Sequence, residues 1–142
     1  MLEKMRDTWT KAIQPIVLKL GDLDPSVLTW TSLLVSVAGF YMLAIAEMDT
    51  NGSLMIMLAV ILVLVAGVLD ALDGALARHQ GTDGPYGDFF DHTIDRIVDV
   101  GLLVAIGMNA AFVSNMSAGL AAGLLTLLGS SMGTQAQSVG LD

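Results

Sequence analysis

Four aspartates stand at helical spacing in a short stretch of the chain, Asp70 with Asp73 and Asp91 with Asp95. Residues three or four positions apart lie on one face of a helix, so each pair predicts two carboxylates that point the same way. Hard divalent cations such as Mg²⁺ or Mn²⁺ prefer oxygen ligands and leave positions open for phosphate oxygens. The pattern therefore predicts a metal site that acts on a phosphate ester.

The residues next to the aspartates fit the same chemistry. Gly74 follows Asp73, and glycine lets a ligand come close to the backbone of a helix. Arg78 lies one turn further along the same face, and its guanidinium can donate two hydrogen bonds to a phosphate. Gly87 stands one turn before Asp91 and leaves similar room. A lone aspartate could be a helix contact or a proton relay, but four with this arginine and two glycines favour a metal site.

The composition is that of an integral membrane protein. Of the 142 residues, 54% are hydrophobic and 14% are charged, and the mean hydropathy is +0.71. The stretches 28–46 and 53–69 carry no charge, and about 20 mostly apolar residues are enough to cross a bilayer. Because carboxylates are costly at membrane depth, aspartates in such a chain indicate a function.

The acidic balance of the chain belongs largely to the same site. The formal net charge is −8, and seven of the fourteen acidic residues fall in the window 70–99. A chain this acidic is not expected to bind nucleic acid by neutralising its phosphates. The absence of cysteine excludes disulfides and thiolate ligands.

Helices must position these aspartates. Residues 1–20 predict an amphipathic helix that either lies on the membrane surface or packs on the helix bundle. Four apolar segments separated by polar or Gly-rich turns predict transmembrane helices over residues 26–47, 53–79, 88–112 and 118–137. The predicted fold is therefore all-α and integral to the membrane, with an N-terminal interfacial helix plus four transmembrane helices.

The basic residues predict the orientation of the chain. All six Lys and Arg lie in the N-terminal segment, at the end of the second transmembrane helix or at the start of the third. The positive-inside rule places the N-terminus and the loop 79–88 in the cytoplasm. Because this loop is short and Gly-rich, the helices it joins are expected to be antiparallel neighbours. Both aspartate pairs then converge on the cytoplasmic side, where a cation would relieve their repulsion.

The residues around the aspartates resemble the signature of a known family, the CDP-alcohol phosphotransferases or CDP-alcohol phosphatidyltransferases. Eight fixed residues and the gaps between them agree with that signature, which here reads Asp70-x2-Asp73-Gly74-x2-Ala77-Arg78-x8-Gly87-x3-Asp91-x3-Asp95. Pro25 and Thr29 also resemble the family's segment before its first transmembrane helix, with Ser26 in place of the usual Asn. The resemblance covers the chain in outline.

This resemblance implies a transferase of phospholipid biosynthesis in the lipid bilayer, typically a homodimer. Such enzymes move a substituted phosphate from a CDP-linked lipid to an alcohol or a sugar-alcohol (phosphate) and release CMP. The donor is CDP-diacylglycerol or its archaeal ether analogue. By the resemblance, Gly74 and Arg78 would contact the diphosphate of the donor, and Ser26 and Thr29 would help to seat its nucleotide.

The resemblance also assigns roles to the carboxylates. Asp70, Asp73 and Asp91 would hold the divalent metal, Mg²⁺ or Mn²⁺. Asp95 would be the catalytic residue that deprotonates the acceptor hydroxyl, and it would also contact a metal. The active site would face the cytoplasm.

The chain departs from the family's pattern in two ways. Family members usually have six transmembrane helices and four are predicted here, so residues 1–142 are expected to form a single family domain truncated after the fourth helix. Inositol-phosphate and glycerol-phosphate relatives often carry an arginine in that helix, where this chain reads SSMGTQAQ and has no basic residue. The acceptor alcohol therefore stays open.

Two other functions fit part of the pattern. A membrane prenyltransferase also binds a diphosphate through aspartates and Mg²⁺, but its motifs usually space the aspartates by four in both clusters, unlike Asp70 and Asp73. A cation-coupled transporter could use the carboxylates as an ion site, but it would need neither Gly74 nor Arg78. Release of CMP distinguishes the transferase from both.

Overall fold

The computed structural model of the protein describes residues 13–110 and 112–140, apart from the Gln137 side chain. These residues form helices: α1, with residues 13–19 as its described part, α2 (Pro25–Ile45), α3 (Thr50–Gln80), α4 (Pro85–Met108) and α5 (Met116–Ser138). The four longer helices confirm the predicted helical segments to within a few residues at each end. Residues 1–12 of the predicted amphipathic helix lie outside the described residues.

Capping residues define where the helices of the site begin. Asp24 precedes α2, and its side chain accepts a hydrogen bond from the N–H of Ser26 at 2.9 Å. Pro25 fills the first position of that helix, where its missing N–H costs nothing. Asp49 caps α3 in the same way, by accepting from the N–H of Gly52.

A short loop joins the two helices that carry the aspartates. α3 ends at Gln80, and Gly81 follows it with a φ of 66°, in the left-handed region that glycine adopts without steric cost. α4 begins at Pro85 rather than at the predicted residue 88, because proline suits the first turn of a helix. Gly87, expected just before the helix, therefore lies in its first turn.

The helix α2 supports both aspartate-bearing helices. It packs against α3 and against α4, and α5 packs against α4. Over the described residues, no Cα atom of α3 lies within 8 Å of a Cα atom of α4. The two helices were expected to be antiparallel neighbours whose carboxylates converge; the carboxylates do converge, but the backbones of the two helices do not pack against each other. α3 and α4 each pack on α2, and their aspartate side chains meet across the space between them.

Two clusters of buried apolar side chains stabilise this arrangement. Near the aspartates, the first cluster joins α1, α2 and α3 through Ile13, Val17, Leu28, Leu72 and Leu76. Further from the site, the second joins α2, α3 and α4 through Phe40, Leu43, Ala59 and Ala105. Because burial of apolar surface is the dominant favourable term in folding, these clusters fix where the three longer helices stand.

Asn109 fastens the far end of α4 to the end of α2. The residue is fully buried, and its Nδ2 donates to the carbonyl oxygens of Leu43 at 2.6 Å and Ala46 at 3.0 Å. Its Oδ1 accepts from the N–H of Phe112 at 3.2 Å. Buried polar groups stabilise a fold when they are paired in this way.

Three helices of the described chain are long and apolar enough to cross a membrane, over Pro25–Ile45, Thr50–Gln80 and Met116–Ala136. The 31 residues of α3 correspond to about 46 Å, longer than the roughly 30 Å hydrocarbon core of a bilayer. Its polar end can therefore reach the membrane surface. α4 is not among these three helices because its charged residues lower its hydropathy. The predicted count of four transmembrane helices therefore stays a prediction.

Candidate active site

Three of the four predicted metal ligands converge. Asp70 and Asp73 project from α3 and Asp91 from α4, and each offers one carboxylate oxygen such that these atoms all lie within 4.8 Å of one another. Asp73 is buried, with 4% of its surface exposed, and the other two are partly buried. Carboxylates this close in a partly dry site repel one another unless a cation lies between them.

Asp95 stands beside this group rather than in it. It lies one turn after Asp91 on α4 and is partly buried. Its charge interacts with those of Asp70, Asp73 and Asp91. The structure thus separates the four aspartates into a cluster of three and one neighbour at its margin.

One oxygen of Asp73 is buried without a partner. Its Oδ2 is closed off from solvent and makes no hydrogen bond, although the Gly74 N–H and the Thr29 side chain interact with the carboxylate. An unpaired buried carboxylate oxygen is costly, and such an atom in a native structure often marks the place of an ion. The orphaned oxygen and the two neighbouring carboxylates therefore fit a hard divalent cation.

A cleft of about 710 Å³ opens next to the carboxylates. It lies between the start of α2, the end of α3 and the start of α4. All four residues expected to contact a nucleotide donor line it, together with two of the aspartates; these are Ser26, Thr29, Gly74, Arg78, Asp73 and Asp91. The cleft and the carboxylate cluster are thus continuous.

The two glycines of the motif leave room in different ways. A Cβ atom placed at Gly74 would lie 3.4 Å from Nη1 of Arg78, so the guanidinium is folded over the backbone of Gly74. A Cβ atom at Gly87 would meet nothing within 4 Å. Since both glycines line the cleft, a side chain at either position would take space from a ligand.

Several residues that line the cleft were not predicted from the sequence. Gln80 lines it and donates hydrogen bonds to backbone oxygens near the start of α2, and Tyr86 and Phe90 line it from α4. Phe90 also stacks at an angle on Trp30, with 5.7 Å between the ring centroids. Aromatic residues next to the aspartates could have been predicted from the sequence to contact a base or sugar. No pattern in the sequence marked Gln80 as part of the cleft.

Arg96 and Asp99 form an ion pair on α4, and Arg96 directly follows Asp95 in the chain. Nη1 of Arg96 lies 3.0 Å from Oδ2 of Asp99, one turn along α4. Arg96 lines a second, mostly apolar cavity of about 1030 Å³ between α4 and α5. The cationic partner of the first cleft is therefore Arg78, and Arg96 belongs to a different surface.

Comparison with known proteins agrees with the motif. The family model for CDP-alcohol phosphatidyltransferase matches residues 23–136. The chain is 32% identical over 134 residues to the archaetidylinositol phosphate synthase of Pyrococcus horikoshii. The aligned region covers 93% of this chain and 64% of that protein. It is 30% identical over 142 residues to the archaetidylinositol phosphate synthase of Methanothermobacter thermautotrophicus, covering 100% and 67% respectively.

A bacterial relative extends the comparison. The phosphatidylinositol phosphate synthase of Cutibacterium acnes is 27% identical over 117 residues, covering 81% of this chain and 53% of that protein. The chain therefore spans about half to two thirds of the length of these curated relatives. No solved structure matches the chain. The match of the family model over most of the chain, with the motif residues gathered in one site, shows that the chain belongs to the CDP-alcohol phosphatidyltransferase family.

Proposed function

We propose that this chain transfers a substituted phosphate from a CDP-linked lipid to an alcohol and releases CMP, as a step of phospholipid biosynthesis. The observation that carries the proposal is the continuity between the three converging carboxylates and the cleft lined by Ser26, Thr29, Gly74 and Arg78. Membership of the family supports the same reaction class. The site therefore combines carboxylate ligands for a cation with hydrogen-bond donors for a diphosphate.

The carboxylates supply the metal site in this proposal. Asp70, Asp73 and Asp91 would hold the divalent cation, and the unpaired buried oxygen of Asp73 would be available to it as a ligand. Bound Mg²⁺ or Mn²⁺ would neutralise the diphosphate and stabilise CMP as the leaving group. Asp95, at the margin of the cluster, is placed to serve either the metal or the acceptor.

The donor is held by residues from two helices. The Arg78 guanidinium donates hydrogen bonds to the diphosphate, and Gly74 lets the diphosphate approach the backbone of α3. Ser26 and Thr29 seat the nucleotide at the start of α2, where both residues line the cleft. These contacts orient the phosphorus of the lipid phosphate toward the carboxylates.

The reaction then needs a base for the acceptor. Asp95 accepts the proton of the acceptor hydroxyl while the hydroxyl oxygen forms a bond to the phosphorus that carries the lipid. The bond from that phosphorus to the bridging oxygen breaks, and CMP leaves with the electron pair. The products are a phosphodiester lipid, CMP and the proton on Asp95, which passes to solvent before the next turnover, so atoms and charge balance.

The acceptor and the setting are finer parts of the proposal. The names of the archaeal and bacterial relatives make inositol phosphate the first acceptor to test, with an ether-lipid donor beside the ester one. The bundle lies in the bilayer with the cleft toward the cytoplasm, because Arg78 and the loop 81–84 lie at that end and the opposite turns carry no basic residue. The proposed enzyme acts as a homodimer.

An assay of CMP release tests the reaction class. Full-length protein in liposomes is incubated with CDP-archaeol or CDP-diacylglycerol, Mg²⁺, and inositol phosphate, glycerol phosphate, inositol or serine. CMP is expected with at least one acceptor. Asp91→Asn and Asp95→Asn are expected to abolish it, whereas Glu47→Gln, at an exposed acid near the other end of α3, retains it.

Two results would overturn the proposal. One is the absence of CMP with every acceptor and donor. The other is unchanged turnover in both aspartate variants. Release of diphosphate from a prenyl donor would favour a prenyltransferase, and cation-dependent uptake into the liposomes without CMP would favour a transporter.

A further inference from the structure

Gln80 connects the end of α3 to the turn before α2. Its Nε2 donates to the carbonyl oxygen of Gly21 at 2.9 Å and to that of Leu23 at 2.7 Å. These partners lie 59 and 57 positions earlier in the chain. The two amide hydrogens thus bond to two backbone carbonyls of one turn, and two bonds hold the position and orientation of that turn better than one.

The turn that Gln80 holds leads directly into the nucleotide side of the cleft. Asp24 follows Leu23, and its side chain accepts from the N–H of Ser26 at 2.9 Å to start α2. Ser26 and Thr29 then line the cleft, as do Leu23 and Gln80 themselves. A shift of the turn would therefore move the start of α2 and the groups that it presents.

The other wall of the cleft stands on the same helix as Gln80. Gly74 and Arg78 lie within the last two turns of α3. Gln80 thereby joins the wall expected to contact the diphosphate to the wall expected to contact the nucleotide through two hydrogen bonds. The apolar cluster of α1, α2 and α3 does not include Gln80, although Leu20 and Leu23 of the turn pack against it.

We propose that Gln80 is a positioning residue for the CDP-linked donor, which sets the width of the cleft without holding the reacting groups. This inference rests on the proposed function. Because the apolar cluster already packs the three helices and the side chains of Leu20 and Leu23, loss of the Gln80 amide leaves the bundle folded and loosens the backbone of the turn at residues 21–23. The donor then binds more weakly while the carboxylates keep their geometry.

The test compares Gln80→Leu and Gln80→Glu with His79→Ala in the full-length protein. Glutamate keeps the shape of the side chain but removes both donors. His79 is the exposed neighbour of Gln80 and does not line the cleft. The KM for the CDP-linked lipid is expected to rise about tenfold in both Gln80 variants, because donor binding must then order a turn that two neutral hydrogen bonds no longer hold, with kcat changed by less than about twofold. His79→Ala keeps the wild-type KM.

Hydrogen exchange supplies a readout that needs no substrate. Amides of residues 20–27 are expected to exchange faster in the Gln80 variants, with no change in the middle of α3. An unchanged KM, a fall in kcat alone, or unchanged exchange at residues 20–27 would each overturn the role of Gln80. If wild-type protein released no CMP while exchange still accelerated, the proposed function would fall and the fastening of the turn by Gln80 would stand.

Discussion

The guanidinium of Arg78 lies over the backbone of Gly74, one helical turn earlier in α3. A Cβ atom at Gly74 would stand 3.4 Å from Nη1 and 3.8 Å from Nη2 of this arginine. These are ordinary van der Waals distances, so the fold itself would accept an alanine there. The missing side chain instead leaves open a strip of backbone between the arginine and the carboxylate of Asp73, where both line the cleft.

Gly74→Ala is therefore expected to separate stability from function. Alanine is a better helix former than glycine by about 1 kcal/mol, so the Tm in detergent should stay level or rise. The KM for the CDP-linked donor should rise about 10- to 100-fold, because a displaced diphosphate loses its alignment. Gly67→Ala is the matched control, since it lies in the same helix with nothing within 4 Å of its Cβ atom.

Gly67→Ala should raise the Tm and leave KM alone. If Gly74→Ala also kept the wild-type KM, the open strip over α3 would have no part in binding the donor. A lower Tm for Gly74→Ala would show that the glycine serves packing instead.

Asp73→Asn should alter the response of the protein to metal. Without metal, the variant is expected to be at least as stable as the wild type, because it removes one of three mutually repelling carboxylates within 4.8 Å. With Mn²⁺ at about 100 times its Kd, the wild type should gain about 2.7 kcal/mol of stability and the variant much less. Thermal unfolding in EDTA and in Mn²⁺ measures both effects.

The exposed Glu47→Gln serves as the control for charge removal. It should show the wild-type response to Mn²⁺. An equal stabilisation by Mn²⁺ of wild type and Asp73→Asn would place the cation elsewhere than in the cluster.

Much of the site could be predicted from the sequence because its signal is local. Helical spacing placed Asp70 with Asp73 and Asp91 with Asp95, and the cap and turn residues set the helix ends. Gly81 directly follows α3, and its φ of 66° is one that glycine adopts without strain. These features depend on residues within a few positions of one another, which a sequence displays directly.

The packing of the helices could not be predicted in the same way. Helices that are apolar on every side show no face that selects a neighbour, so the sequence did not show that α2 supports both α3 and α4. The contacts of Gln80 and Asn109 link residues more than 50 positions apart. Their hydrogen bonds depend on tertiary structure, and no local pattern marks them.

Asn109→Leu tests the far end of the bundle. The substitution removes the donors to the buried carbonyls of Leu43 and Ala46, and an unpaired buried carbonyl costs about 1–3 kcal/mol. Unfolding in detergent should show a loss of about 2–4 kcal/mol, against almost no change for the exposed Asn51→Ala. The KM of the protein that remains folded should match wild type, because these bonds lie at the opposite end of α4 from Asp91. A raised KM would mean that the two ends of the bundle are coupled.

Arg78→Lys tests how the diphosphate is recognised. Lysine keeps the charge but loses the planar fork that donates two parallel hydrogen bonds. Inhibition of CMP release by CDP, which has a diphosphate, should weaken about tenfold, as the loss of one charge-assisted hydrogen bond predicts. Inhibition by CMP should weaken less, because it has one phosphate fewer to contact. The ratio of the two inhibition constants is the measurement.

Arg96→Lys is the control, since Arg96 pairs with Asp99 and lines the other cavity. The ratio of the CDP and CMP inhibition constants should not change in this variant. If Arg78→Lys weakened CDP and CMP equally, Arg78 would contact the phosphate that both share, and the diphosphate would have to be oriented by the backbone at Gly74 and by the metal alone.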